Sequence, residues 1–165
     1  MKIKKITYAA ILIAMGVVAG NIIYIPVGAA KCFPIQSVIN VLAAVTLGPS
    51  YGVAVAFCIS LLRNFFGTGT LLAFPGSMIG AFLAGILYKF TKRDFMAVIG
   101  EIFGTGIIGA LVAFPIATFV LGKHAAIFFY VVPFLISTIG GSIIAYILIK
   151  ALEKSKLLRK NINKF

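Results

Sequence analysis

Long apolar runs, separated by short basic segments, constrain this fold more than any other feature of the sequence. Of the 165 residues, 62% are hydrophobic and only 11% are charged, and the mean hydropathy is +1.15. A soluble domain has about a quarter of its residues charged, so this chain lacks the polar surface that a water-soluble globule needs. Because a membrane-spanning helix takes about 20 residues, we predict an all-α integral membrane protein, a single transmembrane domain over residues 1–165.

The second and third hydrophobic segments are the difficult ones. Residues 34–62 could form one long crossing or two short ones joined at 48–52, where a proline and two glycines favour a turn. Cytoplasmic loops are enriched in lysine and arginine, and this rule decides between one long crossing and two short ones. Six spans with a cytoplasmic N-terminus place twelve of the fifteen basic residues inside, whereas five spans place most of them outside. We therefore predict a six-helix bundle with both termini cytoplasmic and spans near 6–25, 35–47, 51–65, 71–90, 96–121 and 126–149.

The charge and motif content excludes several function classes. The formal charge is +12, but the basic residues flank apolar blocks as topology signals do, so we expect no nucleic-acid partner. Cys32 and Cys58 form no CxxC pair, which argues against a disulfide framework or zinc site. Paired carboxylates, a His–acid set and a phosphate-binding Walker loop are all missing from the sequence. We expect no catalytic residue, no metal and no cofactor bound by this chain.

Small residues recur four apart in several spans, which lets helices approach closely in lipid. Spans four and five carry such stripes, and we predict that these pack within the chain. Span one carries Ala10 and Ala14, then Gly16 and Gly20, and its stripe could instead serve a partner protein. The motif GTGIIG at 104–109 matches a dinucleotide fingerprint, but it lacks the preceding strand and the following acidic residue. We interpret it as helix packing.

Polar residues gather in the three segments predicted on the outer face, 26–35, 63–70 and 122–126. Such a cluster on one side of an apolar bundle suits an outward-facing binding pocket, although outer loops could simply be solvated. Arg63 is either an anchor that reaches the membrane surface or a cap on the following loop. The residues at or near this face are Lys31, Gln36, Arg63, Asn64, Thr68, Thr70, Ser77, His124 and Tyr130.

The chain has three acidic residues. Asp94 and Glu153 lie among basic residues and are predicted to be solvated. Glu101 lies inside span five, where an ionisable group is a functional hypothesis by default. Because Glu101 is near the cytoplasmic boundary, it could instead reach water, pair with a basic residue of the 89–93 region or contact a partner. We favour structural pairing or partner contact.

Three parts of the sequence carry a resemblance to a known family: VGAAKCFP at 27–34 leading into NVLAA at 40–44, SLLRN at 60–64 running into GTGTLLAFPGSM at 67–78, and Glu101 continuing into GTGIIGA at 104–110. Together with the size and six predicted spans, they closely resemble the ThiW family. That family comprises substrate-binding (S) components of energy-coupling factor (ECF) importers, assigned to the thiazole precursor of thiamine. The likeness covers nearly the whole chain.

The resemblance implies a six-helix S component in a prokaryotic plasma membrane, with substrate held near the outer face under the loop between spans one and two. It also implies docking onto a transmembrane coupling protein driven by two cytoplasmic ATPases, which would use the ATP. Ala10 and Ala14 match the family's A-x-x-x-A docking pattern. The alternatives are an S component for another small vitamin or precursor, or a membrane scaffold subunit without a small ligand.

The expected ligand is hydroxyethylthiazole, a small neutral aromatic ring with one hydroxyl. Aromatic side chains would stack on its ring, and polar side chains would pair with its nitrogen and hydroxyl. Chosen by position, the predicted substrate-binding residues are Lys31, Phe33, Gln36, Asn64, Thr68, Phe74, Ser77, His124 and Tyr130.

Overall fold

The computed structural model describes residues 2–27, 30–122, 126 and 128–154, with the backbone alone at 2, 26–27 and 30–31. Within these ranges the chain forms helices joined by short loops, with one pair of three-residue strands. The elements in chain order are α1 (Lys2–Ile22), β1 (Ile25–Val27), β2 (Ala30–Cys32), α2 (Pro34–Leu47), α3 (Pro49–Phe65), α4 (Ala73–Thr91), α5 (Asp94–Val120) and α6 (Val131–Lys154). The two strands pair antiparallel, with Ile25 opposite Cys32.

Helices α2 and α3 form an antiparallel hairpin around Gly48. Gly48 has a φ of 91°, a conformation that glycine adopts without the steric cost of a β-carbon. A β-carbon on Gly52 would lie 3.5 Å from the α-carbon of Ala44, so the helices meet directly at the turn. At the other end, Arg63 donates a hydrogen bond to Gln36. The predicted break in residues 48–52 is therefore confirmed, and 34–62 is not one long helix.

The remaining helices alternate in direction, as pairs of contacts at opposite ends show. On α1, Gly20 lies against Arg63 and Lys5 lies over the Tyr51 ring at 5.8 Å, so α1 runs parallel to α3 and antiparallel to α2. From α3 to α6 each helix is antiparallel to the next, because the end of one lies against the start of the other. The contacts that show this are Gly85 with Pro49 and Ser77 with Ser60, Gly100 with Ala84 and Gly109 with Gly76, and Lys150 with Asp94 and Gly106 with Leu135.

This alternation places three connections at one end of the bundle: 23–33, 66–72 and 121–130. We call this the loop end. The start of α1, the Gly48 turn, the α4–α5 turn and the last turn of α6 lie at the opposite end. The described basic side chains of that opposite end are Lys4, Lys5, Lys89, Lys92, Arg93, Lys150 and Lys154. The predicted segregation of loops and basic residues is thus present in the fold.

Helix α2 is the centre of the bundle, and every residue in it except Ile35 and Thr46 is buried. A helix that is apolar on all sides is typical of such a position. The outer helices instead expose large apolar side chains such as Ile6, Phe82 and Ile143. In the part of the chain that the structure describes, four helical stretches are long and apolar enough to cross a membrane: Ile3–Ile22, Ala73–Thr91, Asp94–Val120 and Val131–Lys154.

The interface of α4 with α5 is built from small residues, as predicted. A β-carbon added to Gly104 would lie 2.7 Å from the α-carbon of Gly80, and one added to Gly100 would lie 2.7 Å from the α-carbon of Ala84. The 104–109 motif takes part in this interface as a π-helical stretch of α5, with Gly109 against Gly76. Its interpretation as helix packing is confirmed. A second π-helical stretch, Ile116–Val120, ends the helix.

Helix α1 packs loosely on the bundle. Its buried residues are Gly16, Val17 and Gly20, which face α2 and α3, whereas Ala10 and Ala14 are exposed. The alternative that Ala10 and Ala14 serve packing within the chain is therefore wrong for the described residues. Gly16 and Gly20 supply that packing.

One prediction about the acidic residues is wrong. Asp94 is buried, with 7% of its side chain exposed, and its carboxylate lies 2.6 Å from the Lys150 ammonium group. Because this ion pair ties the start of α5 to the end of α6, Asp94 is not a solvated loop residue. Glu153 accepts a second bond from Lys150 at 2.9 Å and is exposed.

Candidate ligand-binding site

A cavity of about 990 Å³ opens at the loop end between the helices. This volume lies at the upper end of the roughly 300–1,000 Å³ that ligand sites enclose. Its described lining comes from α1, the strand pair, all five other helices and the loops, and comprises Asn21, Tyr24, Cys32, Phe33, Gln36, Ser37, Arg63, Gly67, Thr68, Gly69, Thr70, Leu72, Ala73, Gly76, Ser77, Thr105, Ala126, Phe129, Tyr130, Pro133, Phe134 and Ser137.

Aromatic rings form one wall of the cavity. The buried Tyr130 ring meets Phe129 edge to face, with centroids 5.3 Å apart, and lies 6.4 Å from Phe134. Edge-to-face pairs hold rings in a fixed orientation. This wall therefore presents ordered apolar faces to whatever occupies the cavity.

The strand pair contributes Cys32 to the cavity lining, and its far end is fixed to α6. The Cys32 thiol donates to the Pro133 carbonyl at 3.0 Å, and the Phe33 amide donates to the Ser137 hydroxyl at 3.1 Å. The connection between α1 and α2 is thereby held against the aromatic wall.

Arg63 lies in the opposite wall with 2% of its surface exposed. Its guanidinium lies 4.0 Å from the centre of the Phe33 ring, and it donates to Gln36 at 3.5 Å and to the Thr68 carbonyl at 3.3 Å. The backbone amides of Thr68 and Gly69 in turn donate to the Arg63 carbonyl. Of the two alternatives for Arg63, the loop cap is confirmed, and the anchor that reaches the membrane surface is wrong.

The cavity floor is a network of hydroxyl and amide groups between α3 and α4. The Ser77 hydroxyl lies 3.0 Å from the Ser60 hydroxyl and 2.7 Å from the Ala73 carbonyl. The amide of Asn40, on α2, donates to the Ser77 carbonyl at 3.2 Å. Ser77 lines the cavity, so these hydrogen bonds hold one polar group of the cavity lining in place.

Glu101 completes the network beneath the floor and is fully buried. Its Oε1 accepts from the Asn40 amide at 3.0 Å and from the Thr105 hydroxyl at 3.0 Å. None of the ion pairs among the described residues involves Glu101. The prediction that it reaches water or the 89–93 basic residues is wrong, because the carboxyl group points into the bundle toward α2.

Of the residues predicted to bind substrate, the structure brings five together in the lining: Phe33, Gln36, Thr68, Ser77 and Tyr130. Asn64 is outside it, and its amide instead donates to the carbonyls of Ser60 and Thr70. Phe74 is also outside, with its ring 5.6 Å from that of Phe57. The Lys31 side chain and the whole of His124 lie outside the described residues.

Sequence reasoning missed several lining residues on α5 and α6. The three that follow Tyr130 on one helical face are Pro133, Phe134 and Ser137. Residues three and four apart share a helix face, so extending the predicted Tyr130 along α6 would have found them. Thr105 was hidden inside the 104–109 motif, and Ser37 inside an otherwise apolar span.

No group of three or more metal-ligating side chains occurs among the described residues. The chemistry of the described lining is therefore that of aromatic faces, hydroxyls, two amides, one thiol and one guanidinium. Such a set binds and orients a small molecule.

The reactivity of Cys32 tests how firmly the strand pair is held against α6. Its thiol is buried, with 2% of the residue exposed, and burial raises the pKa of that thiol. Because the thiolate is the reactive form, we expect Cys32 in a Cys58→Ser variant to react with a water-soluble maleimide at least about tenfold more slowly than glutathione at neutral pH. The Cys32→Ser variant measures the Cys58 background. A rate equal to that of glutathione would mean that the strand pair is open.

Comparison with known families then bears on what the cavity binds. A family model described as thiamine-precursor transporter protein (ThiW) matches residues 6–155. The chain belongs to the ThiW family. Searches of curated proteins and of solved structures gave no significant match.

Membership in ThiW assigns this chain to thiamine-precursor transport. A membrane transporter needs apolar helices, and this ThiW chain has such helices together with a cavity at the loop end. The matched residues include all the described lining residues of the cavity and every described element apart from residues 2–5 of α1.

Proposed function

We propose that this ThiW chain is the substrate-capturing subunit of an ECF importer and that its substrate is hydroxyethylthiazole. The observation that carries the proposal is the cavity at the loop end, which combines an aromatic wall with a hydroxyl-lined floor. A scaffold subunit without a ligand has no need of such a cavity.

The proposed substrate fits both surfaces of the cavity. Its thiazole ring would stack on Phe33 or Tyr130, a contact worth about 0.5–1.5 kcal/mol beyond burial. Its hydroxyl and ring nitrogen would pair with side chains such as Ser77, Thr105 and Ser137. Pairing matters because a buried polar group without a partner costs about 1–3 kcal/mol.

The proposed orientation places the cavity on the outside of a prokaryotic plasma membrane. The basic residues of the opposite end then face the cytoplasm together with both termini, in agreement with the positive-inside rule. We propose that all six helices cross. At 14 residues, α2 is about 21 Å long, shorter than the hydrocarbon core of about 30 Å. Since α2 is buried among the other helices, it need not match the lipid thickness.

The energy for uptake is proposed to come from partner subunits. An S component binds no ATP itself, and two cytoplasmic ATPases act on it through a transmembrane coupling protein. The exposed stripe of Ala10 and Ala14 on the loosely packed α1 is the proposed docking surface for that coupling protein, because small residues allow close helix approach.

Calorimetry on the purified protein tests the substrate. We expect hydroxyethylthiazole to bind with one-to-one stoichiometry and a Ser77→Ala, Tyr130→Ala variant to bind at least about tenfold more weakly, since it loses a polar pair and an aromatic contact. A Phe74→Ala variant is the matched control, because Phe74 is an aromatic residue outside the lining. Absence of saturable heat would remove the substrate assignment.

Tryptophan substitution tests the docking surface. We expect Ala10→Trp and Ala14→Trp to abolish uptake by cells that carry the coupling module, because a bulky ring would keep the partner helix away. Ligand binding by the purified variants should remain. Ala54→Trp, at an exposed alanine of α3, is the control. Loss of ligand binding in the α1 variants would show that the stripe supports the cavity instead.

A further inference from the structure

Arg63 is a buried cation without a counter-ion among the described residues. The chain contains three acidic residues, and all three lie in the described part. Asp94 and Glu153 are paired with Lys150, and Glu101 is bonded to uncharged groups on α2 and α5. An unpaired charge in an apolar interior is strongly unfavourable. A ligand that supplied a negative charge would remove this penalty.

Two hydrogen-bond donors beside the cavity lack an acceptor among the described residues. They are Nε of Arg63 and Nε2 of Gln36. Both side chains are more than nine-tenths buried, at 2% and 7% exposed, and both residues line the cavity. The bonds that the guanidinium does make, at 3.3 and 3.5 Å, are longer than the usual 2.7–3.2 Å. Its donors are therefore available to a better acceptor.

The guanidinium lies on the Phe33 ring and close to the α1 backbone at Gly20. The Phe33 ring lies 4.0 Å from it on one face. On α1, a β-carbon added to Gly20 would lie 3.6 Å from Cζ, Nε and Nη1 of Arg63, so the α1 backbone covers another side. A guanidinium fixed in this way offers its edge, and that edge carries the donors that match an oxyanion.

We propose that Arg63 and Gln36 form an oxyanion subsite in the cavity, for a carboxylate or phosphate monoester carried by the transported thiazole. This inference rests on the proposed function and extends its substrate class from the neutral alcohol to an anionic derivative that binds more tightly. The guanidinium Nη1 and Nη2 groups, which make only these long bonds among the described residues, and the Gln36 amide, after rotation of its buried side chain, donate to the oxyanion, a charge-assisted arrangement. The cavity, at about 990 Å³, has room for such a group beside the ring.

Calorimetry with three ligands that share one ring tests the subsite. The ligands are hydroxyethylthiazole, its phosphate monoester, and the analogue with a carboxymethyl group in place of the hydroxyethyl group. We expect at least one anionic ligand to bind the wild-type protein at least about tenfold more tightly than the alcohol. Whichever anion binds more tightly identifies the oxyanion as carboxylate or phosphate.

Two variants test whether the preference for the anion over the alcohol comes from Arg63 and Gln36. Arg63→Met should reduce the ratio of anion to alcohol affinity to about one, and Gln36→Leu should reduce it severalfold. Gln36→Leu also serves if Arg63→Met does not fold. A wild-type protein that binds the alcohol as tightly as both anions overturns the subsite, as does a ratio that neither variant changes.

The outcomes also separate this inference from the proposed function. If the alcohol binds and the anions do not, the subsite is wrong and hydroxyethylthiazole remains the substrate. If none of the three thiazoles binds, but acetate or inorganic phosphate raises the melting temperature of the wild type and not of Gln36→Leu, the subsite stands and the thiazole assignment falls. If no probe has an effect, both are wrong.

Discussion

Replacing Gly104 with alanine is expected to destabilise the protein by roughly 1–3 kcal/mol, the range for inserting a carbon into a packed interior. The added β-carbon would lie 2.7 Å from the α-carbon and 3.0 Å from the nitrogen of Gly80. These are backbone atoms, so no side-chain rotation relieves the contact, and α4 and α5 must separate. Gly104→Leu is expected to prevent folding.

Gly140 provides the matched control for this prediction. It also lies in a membrane helix, but a β-carbon there would meet nothing within 4 Å. Gly140→Ala should therefore leave the melting temperature of the detergent-purified protein unchanged or slightly higher, because alanine favours a helix over glycine. Equal melting temperatures for Gly104→Ala and Gly140→Ala would contradict the close approach of α4 and α5.

Replacing Asn40 with alanine has the second large expected effect. Asn40 is fully buried, and its amide links α2 to α4 through the Ser77 carbonyl and to α5 through Glu101. Interhelical hydrogen bonds in membranes average about 0.6 kcal/mol. Two bonds are lost here and a buried carboxyl group loses a donor, so we expect a larger cost of about 1–3 kcal/mol.

A double-mutant cycle isolates the Asn40–Glu101 contact. The destabilisation of Asn40→Leu, Glu101→Leu should be smaller than the sum of the single variants by about 0.5–3 kcal/mol, because the second substitution removes a group that the first left unpaired. Ser142→Ala is the control for the loss of a buried polar side chain that makes no bond. Ser142 is fully buried, and its hydroxyl has no partner among the described residues. Additive single effects would show that the contact does not form.

The lengths of the apolar runs and the positions of glycine and proline predicted where the helices lie. The Gly48 turn was visible because glycine and proline end helices whatever the tertiary context. The packing stripe that contains Gly100 and Gly104 was predicted because small residues four apart have few uses in lipid other than close packing. The strand pair was not found because each strand is only three residues long. The start of α6 at Val131 was not found because residues 126–130 are as apolar as the helix that follows.

The contacts of the site depend on long-range packing, and this part could not be predicted. Glu101 looked close to the cytoplasmic boundary, yet its partner Asn40 is 61 residues away in sequence. Arg63 looked like a residue at a helix end, where basic side chains usually reach the membrane surface. Its burial follows from the positions of Phe33 and Gly20, which belong to two other elements. Hydropathy carries no information about contacts between residues that are distant in the sequence.

Determination of the structure with bound hydroxyethylthiazole, or with whichever thiazole derivative binds most tightly, tests the central claim most directly. The claim is that the loop-end cavity is the site of substrate capture. We predict that the thiazole ring lies between Phe33 and Tyr130, with polar contacts to Ser77 on the floor. A thiazole bound on the lipid-facing surface, with the cavity lacking ligand in the same map, would contradict the account.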